Sequence, residues 1–126
     1  MCRKSHWRQD RGLGKQLVSF FRSRRANSIL DLGAGRGSYV ETLRAGQLRA
    51  GCFDGNPSVR KVSERRCLQA DLSETQDLGQ RWRPGASNAI ALWLRDWVMS
   101  IEVAEHVPLV FEQTYMDNLD RSLAGL

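Results

Sequence analysis

The chain has 126 residues, 41% of them apolar, which is enough for one folded domain and too few for two. No run approaches the roughly 18 uncharged apolar residues needed to cross a bilayer, and Met1-Cys2-Arg3-Lys4 leads into charge, so a soluble, cytoplasmic protein is expected. The net charge of +5 is concentrated at one end, where Arg3, Lys4, Arg8, Arg11, Lys15, Arg22, Arg24 and Arg25 face Asp10 alone; that +7 leaves the remaining residues at −2.

Residues 1–25 read as a basic N-terminal arm ending in an amphipathic helix. Leu13, Leu17, Phe20 and Phe21 stand at helical spacing over 12–25 and are expected to pack as core. A basic arm suits phosphates, of nucleic acid or of an anionic lipid surface, although a solvated helix face is the commoner use of such charge.

Ser28-Ile29-Leu30-Asp31-Leu32 is a short β-type run, stopped by Gly33-Ala34-Gly35-Arg36-Gly37, and Ser38 stands where a helix N-cap would stand before Tyr39, Val40 and Leu43. Gly46 ends that helix. Leu48 to Phe53 predicts a second strand closed by the turn Asp54-Gly55-Asn56-Pro57, with a short helix over 58–64 after it.

Cys67 to Ala70 predicts a third strand with Asp71 at its end. A polar stretch follows over 73–85, and 89–94 is apolar and reads as helix or strand. Residues 96–103 make the better fourth strand, and Pro108 opens a last helix over 109–123. Strands alternating with helices at this spacing predict the α/β class, a mostly parallel sheet of about four strands with crossover helices. Cys2, Cys52 and Cys67 sit at no metal-binding spacing and are odd in number; Cys52 and Cys67 read as small buried hydrophobes.

In an open parallel sheet the ligand crevice lies beyond the C-terminal ends of the strands, and three exits here carry an aspartate or a glycine loop. Gly33, Gly35 and Gly37 let the backbone turn tightly and approach a ligand, while the helix after them offers free N–H groups. Asp54 can accept two hydrogen bonds from a ribose diol, and Asp71 one from an exocyclic amine, which together describe an adenosine site. A glycine turn also arises for packing alone. Dinucleotide loops space their glycines G-x-G-x-x-G, whereas this one is G-x-G-x-G with Asp31 inside the strand, which argues against a nicotinamide domain.

The segment Ile29-Leu30-Asp31-Leu32-Gly33-Ala34-Gly35-Arg36-Gly37 resembles motif I of the class I S-adenosylmethionine-dependent methyltransferases, and the later exits agree in order and spacing. The resemblance implies a Rossmann-like fold over 26–126, with S-adenosylmethionine as cofactor. It places Asp31 at the amino group of the methionine moiety, the backbone of Gly33, Ala34, Gly35 and Gly37 along it, Asp54 at the ribose, and Asp71 with Leu72 beside the adenine. Residues 100–103, Glu102 among them, correspond to the segment that borders both cofactor and substrate.

The family core has seven strands and this chain matches the first four. That implies a partial cofactor-binding domain whose fourth strand is an exposed edge open to self-association. Glu102-Val103-Ala104-Glu105-His106 resembles the E-V-x-E-H signature of some ubiquinone-pathway O-methyltransferases and small-RNA 2′-O-methyltransferases, where the acids and histidine hold a divalent cation. The only other histidine is His6, and a lone strand-end Glu/His group is more often a hydrogen-bonded cluster, so no bound metal is expected. His106 is the candidate general base. The functional expectation is a methyltransferase or a remnant of one acting on an unidentified acceptor; the alternative is a non-catalytic cofactor- or partner-binding domain that regulates a complete methyltransferase.

Overall fold

The computed structural model describes residues 11–74, 97–101, 103 and 107–121. In chain order the elements are α1 (Arg11–Ser23), β1 (Ser28–Leu32), α2 (Ser38–Ala45), β2 (Arg49–Asp54), α3 (Val59–Val62), β3 (Cys67–Gln69), β4 (Trp97–Met99), a 3-10 turn (Leu109–Phe111) and α4 (Glu112–Arg121). The four described strands form one all-parallel sheet in the order β3-β2-β1-β4, which is the parallel α/β arrangement that the alternation of strands and helices predicts and the Rossmann-like fold that the motif resemblance implies. No helix among the described residues is long and apolar enough to cross a membrane.

β1 is the centre of the sheet. All five of its residues are buried, as expected for a parallel strand covered on both faces. One face packs Ile29, Ala50, Cys52 and Cys67 beneath Phe21 of α1, Val40 and Leu43 of α2 and Val59 of α3. The other packs Leu30, Leu32, Phe53 and Ala70 against Val98 and against Leu119 of α4. Alternation along each strand explains the division, since successive side chains point to opposite faces.

Several elements differ from the sequence expectation. β4 has three residues rather than the eight of 96–103, because its pairing with β1 ends where Met99 meets Asp31. The last helix opens as a 3-10 turn and becomes α-helical only at Glu112. Phe20, expected in the core, is 39% exposed and lies edge-on against Phe21 and Trp97, since it falls at the rim of the stripe that Phe21 centres. Cys52 and Cys67 are buried, but they are disulfide-bonded rather than independent hydrophobes: they are register partners on adjacent strands, 4.7 Å apart at Cα. The polar stretch beyond 74 and the apolar segment over 89–94 lie outside the described residues.

Candidate functional site

The glycine loop leaves β1 without breaking from the sheet. The N–H groups of Gly33 and Ala34 both donate to the Phe53 carbonyl, at 2.8 and 3.2 Å, so the loop stays fastened to β2 as it turns. Gly33 and Gly37 take φ of +80° and +75°, in the left-handed region that favours glycine. A side chain at Gly33 would also run into Val103, so the stretch after β4 lies directly against this loop. Gly37, not Ser38, is the N-cap of α2; it makes no side-chain cap bond, and Ser38 is the first helical residue. The left-handed conformation at Gly37 starts the helix one position earlier than serine chemistry suggests.

Two aspartates meet at this loop. Asp31 is buried within β1 and its pKa is pushed up to about 7, first by desolvation and then by the charge of Asp54. Such a carboxylate is costly unless a cation stands beside it. Asp54, at the exit of β2, accepts the Gly35 N–H at 2.8 Å through one oxygen and the Asn56 N–H at 2.9 Å through the other. A carboxylate has about four acceptor positions, so two remain for a diol. Asp54 therefore shapes the loop as well as offering itself to a ligand.

Asp71 lies two residues past β3 and is exposed. One oxygen accepts both the Ser73 N–H and the Ser73 hydroxyl, at 2.9 and 2.6 Å, and these bonds hold its pKa below the ordinary carboxylate value. Leu72 is half-buried against the Leu30–Phe53 side of the sheet. Ala70 donates its N–H to the Asp54 carbonyl at 2.9 Å, which ties the third exit to the second.

Three further residues complete the site, and sequence reasoning gave none of them its role. Ser100, at the end of β4, donates to the Leu32 carbonyl at 2.8 Å and shares a short hydrogen bond with the Tyr115 hydroxyl, so the exits of β1 and β4 are held by one side chain. Asn118, fully buried on α4, donates its amide to the carbonyls of Leu72 and Glu74 at 3.1 and 2.8 Å. The available signal was an asparagine at i+3 from Tyr115, on the apolar side of a helix, where a buried amide needs partners. Glu102, Glu105, His106 and His6 lie outside the described residues, and among the described residues no group of three or more acids, histidines or cysteines is placed to hold a metal.

No family model and no curated protein matches the sequence. Solved structures do. The methyltransferase domain of bacterial CtHen1 superposes with a TM-score of 0.65 at 19% identity over 85% of this chain and 57% of that one; a second CtHen1 structure gives 0.67 at 18% over 89% and 60%. S-adenosylmethionine-bound CalS10, an amino pentose methyltransferase from Micromonospora echinaspora, gives 0.65 at 14% identity over 94% of this chain and 48% of its own. The sugar N-methyltransferase KedS8 from Streptoalloteichus gives 0.57 at 18%, over 87% and 42%. The chain thus has the fold of the class I S-adenosylmethionine-dependent methyltransferases, and it spans somewhat over half the length of the CtHen1 chains.

Proposed function

We propose that the strand exits bind S-adenosylmethionine and that the chain is the donor-binding part of a methyltransferase. The observation that carries this reading is Asp31, a carboxylate buried beside a glycine loop and raised to about 7, which is the setting that a cationic ligand group relieves. The residues present fit the cofactor. The ammonium of its methionine moiety suits Asp31, the Gly33–Gly37 backbone turns through positive φ at its three glycines and suits the length of that moiety, Asp54 keeps acceptor positions for the ribose, and Asp71 with Leu72 suits the adenine edge. When bound, the cofactor supplies a methyl group already activated on a sulfonium, so the protein's contribution is chiefly orientation. His106 is the base we assign to an acceptor that must lose a proton.

A second reading is a non-catalytic domain that binds cofactor and regulates a complete methyltransferase. Both readings require cofactor binding and part only at methyl transfer. Calorimetry should give S-adenosylhomocysteine at least about tenfold tighter binding than NAD, a difference of about 1.4 kcal/mol. Equal or tighter binding of NAD sinks both readings. Incubation with methyl-labelled S-adenosylmethionine then separates them, since retention of label without transfer to any acceptor favours the regulatory domain.

A further inference from the structure

The last three residues of the glycine loop, Gly35, Arg36 and Gly37, rest on the β2–β3 pair, each by a different contact. Gly35 donates to Asp54 of β2. The Arg36 carbonyl accepts from the Arg66 guanidinium at 3.1 Å, and Arg66 immediately precedes β3. Gly37 sits on the sulfurs: a Cβ there would lie 2.8 Å from Cys67 Sγ and 3.2 Å from Cys52 Sγ. The Cys52–Cys67 bond joins the same two strands directly beneath this loop, two residues before Asp54.

Among the described residues β3 is an edge strand of three residues paired with β2, so the disulfide is a covalent clamp on a short edge strand. Breaking the bond takes the sulfurs from covalent to van der Waals separation. Two thiols then need more room than the bonded pair in a place where Gly37 leaves none, and either the loop lifts or β3 moves outward. The Arg66 carbonyl, 3.5 Å from Cys52 Sγ, is an acceptor already in place for a thiol proton.

We propose that Cys52 and Cys67 form a reversible thiol–disulfide modification site coupled to the cofactor site, the bonded form holding the glycine loop in its cofactor-accepting shape and the dithiol form releasing it. The inference rests on the reading of that loop as the S-adenosylmethionine site. The chemistry is exchange with a dithiol. A reductant thiolate attacks one sulfur, the other cysteine leaves as a thiolate and takes up a proton, and the reductant's second thiolate closes a cyclic disulfide on itself, releasing the first cysteine. Two electrons and two protons pass to the protein. Both sulfurs are buried, so exchange follows an outward opening of β3, and a ligand closing on Gly37 resists that opening. Linkage makes the effect reciprocal: whatever factor the bond adds to cofactor affinity, the cofactor adds to the stability of the bond.

The test uses the chain carrying Cys2→Ser, so that only this pair titrates. Calorimetry with S-adenosylhomocysteine on the oxidised chain and on the dithiothreitol-reduced chain should give affinities that differ about 5- to 150-fold, the usual range for coupled sites, with the oxidised form tighter. The rate of reduction of the oxidised chain by dithiothreitol should fall when S-adenosylhomocysteine is saturating. That rate is read on the folded, oxidised protein, so it decides even where the dithiol form unfolds. Cys52→Ala/Cys67→Ala should bind with one affinity in either buffer. A purely structural cross-link gives equal affinities in both states and an unchanged reduction rate, which overturns the proposal and leaves the cofactor reading standing. Absence of binding in both states overturns that reading and this proposal with it.

Discussion

Asp54 and Asp71 occupy the same topological place, the first acidic position at a strand exit, yet they are built differently. Asp54 is half-buried and spends one oxygen on the glycine loop and the other on its own turn, so its carboxylate is part of the scaffold. Asp71 is exposed, and one of its oxygens accepts from both the N–H and the hydroxyl of Ser73 two residues on. The Asp54 carboxylate thus braces the site across strands, whereas the Asp71 carboxylate meets Ser73 in its own turn and that turn is held to the fold through backbone carbonyls that accept from Asn118. Strand-end acids that look alike in sequence therefore differ in how much of the site each one holds.

Asp31 lies on the braced side and should give the largest effect. Its folded-state pKa of about 7 stands above the ordinary aspartate value of 3.8, so the folded form holds a proton that the unfolded form releases between those values. Stability of the ligand-free chain should fall as pH rises from about 4 to about 7 and then level off, with a total on the order of 4 kcal/mol at about 1.4 kcal/mol per unit. Asp31→Asn should abolish that decline. Denaturant unfolding of both chains at pH 5 and pH 8 measures it, and parallel losses in the two chains would remove Asp31 as the cause.

Asp54→Ala and Asp71→Ala set the two exits side by side. Loss of hydrogen bonds to a charged group costs about 1.5–3 kcal/mol, so Asp54→Ala should weaken S-adenosylhomocysteine binding roughly 10- to 150-fold. Asp71→Ala, losing an exposed group held by local bonds, should cost less than about threefold, in the range of surface electrostatics. Equal losses in calorimetry would break the distinction between the exits. Asn118→Ala acts on folding instead: it leaves the Leu72 and Glu74 carbonyls without their described donor and should lower stability by about 1–2 kcal/mol, read from the denaturation midpoint.

The strand, glycine loop and helix over 28–45 were legible because each signal is local: a β-type run, glycines where φ is positive, then helical periodicity. The places of Asp54 and Asp71 at strand exits, and of Asp31 inside β1, were legible for the same reason, since they follow once the strands are placed. The disulfide was not. Cys52 and Cys67 are 15 residues apart, and only the register of β2 against β3 sets them opposite each other. Ser100, Tyr115 and Asn118 escaped because their partners are far along the chain: Ser100 meets the Leu32 carbonyl once β4 pairs with β1, and Tyr115 and Asn118 meet Ser100 and the carbonyls of Leu72 and Glu74 once α4 docks on the sheet. Phe20 was misplaced because a stripe of four apolar residues fixes a helix face only to within a residue.

Asn118 also bears on the order in which the site is assembled. It reaches back 46 residues to Leu72 and 44 to Glu74, whereas Asp54 reaches back 19 to Gly35. Closing a longer loop costs more chain entropy, and on a ribosome the later residue must also have emerged. The glycine loop and Asp54 can come together while α4 is still unmade; the turn carrying Asp71 gains its support from Asn118 only after α4 folds. A nascent chain arrested before Asn118 would then carry the glycine loop already fastened to Asp54, with the turn after β3 still lacking the two bonds from Asn118.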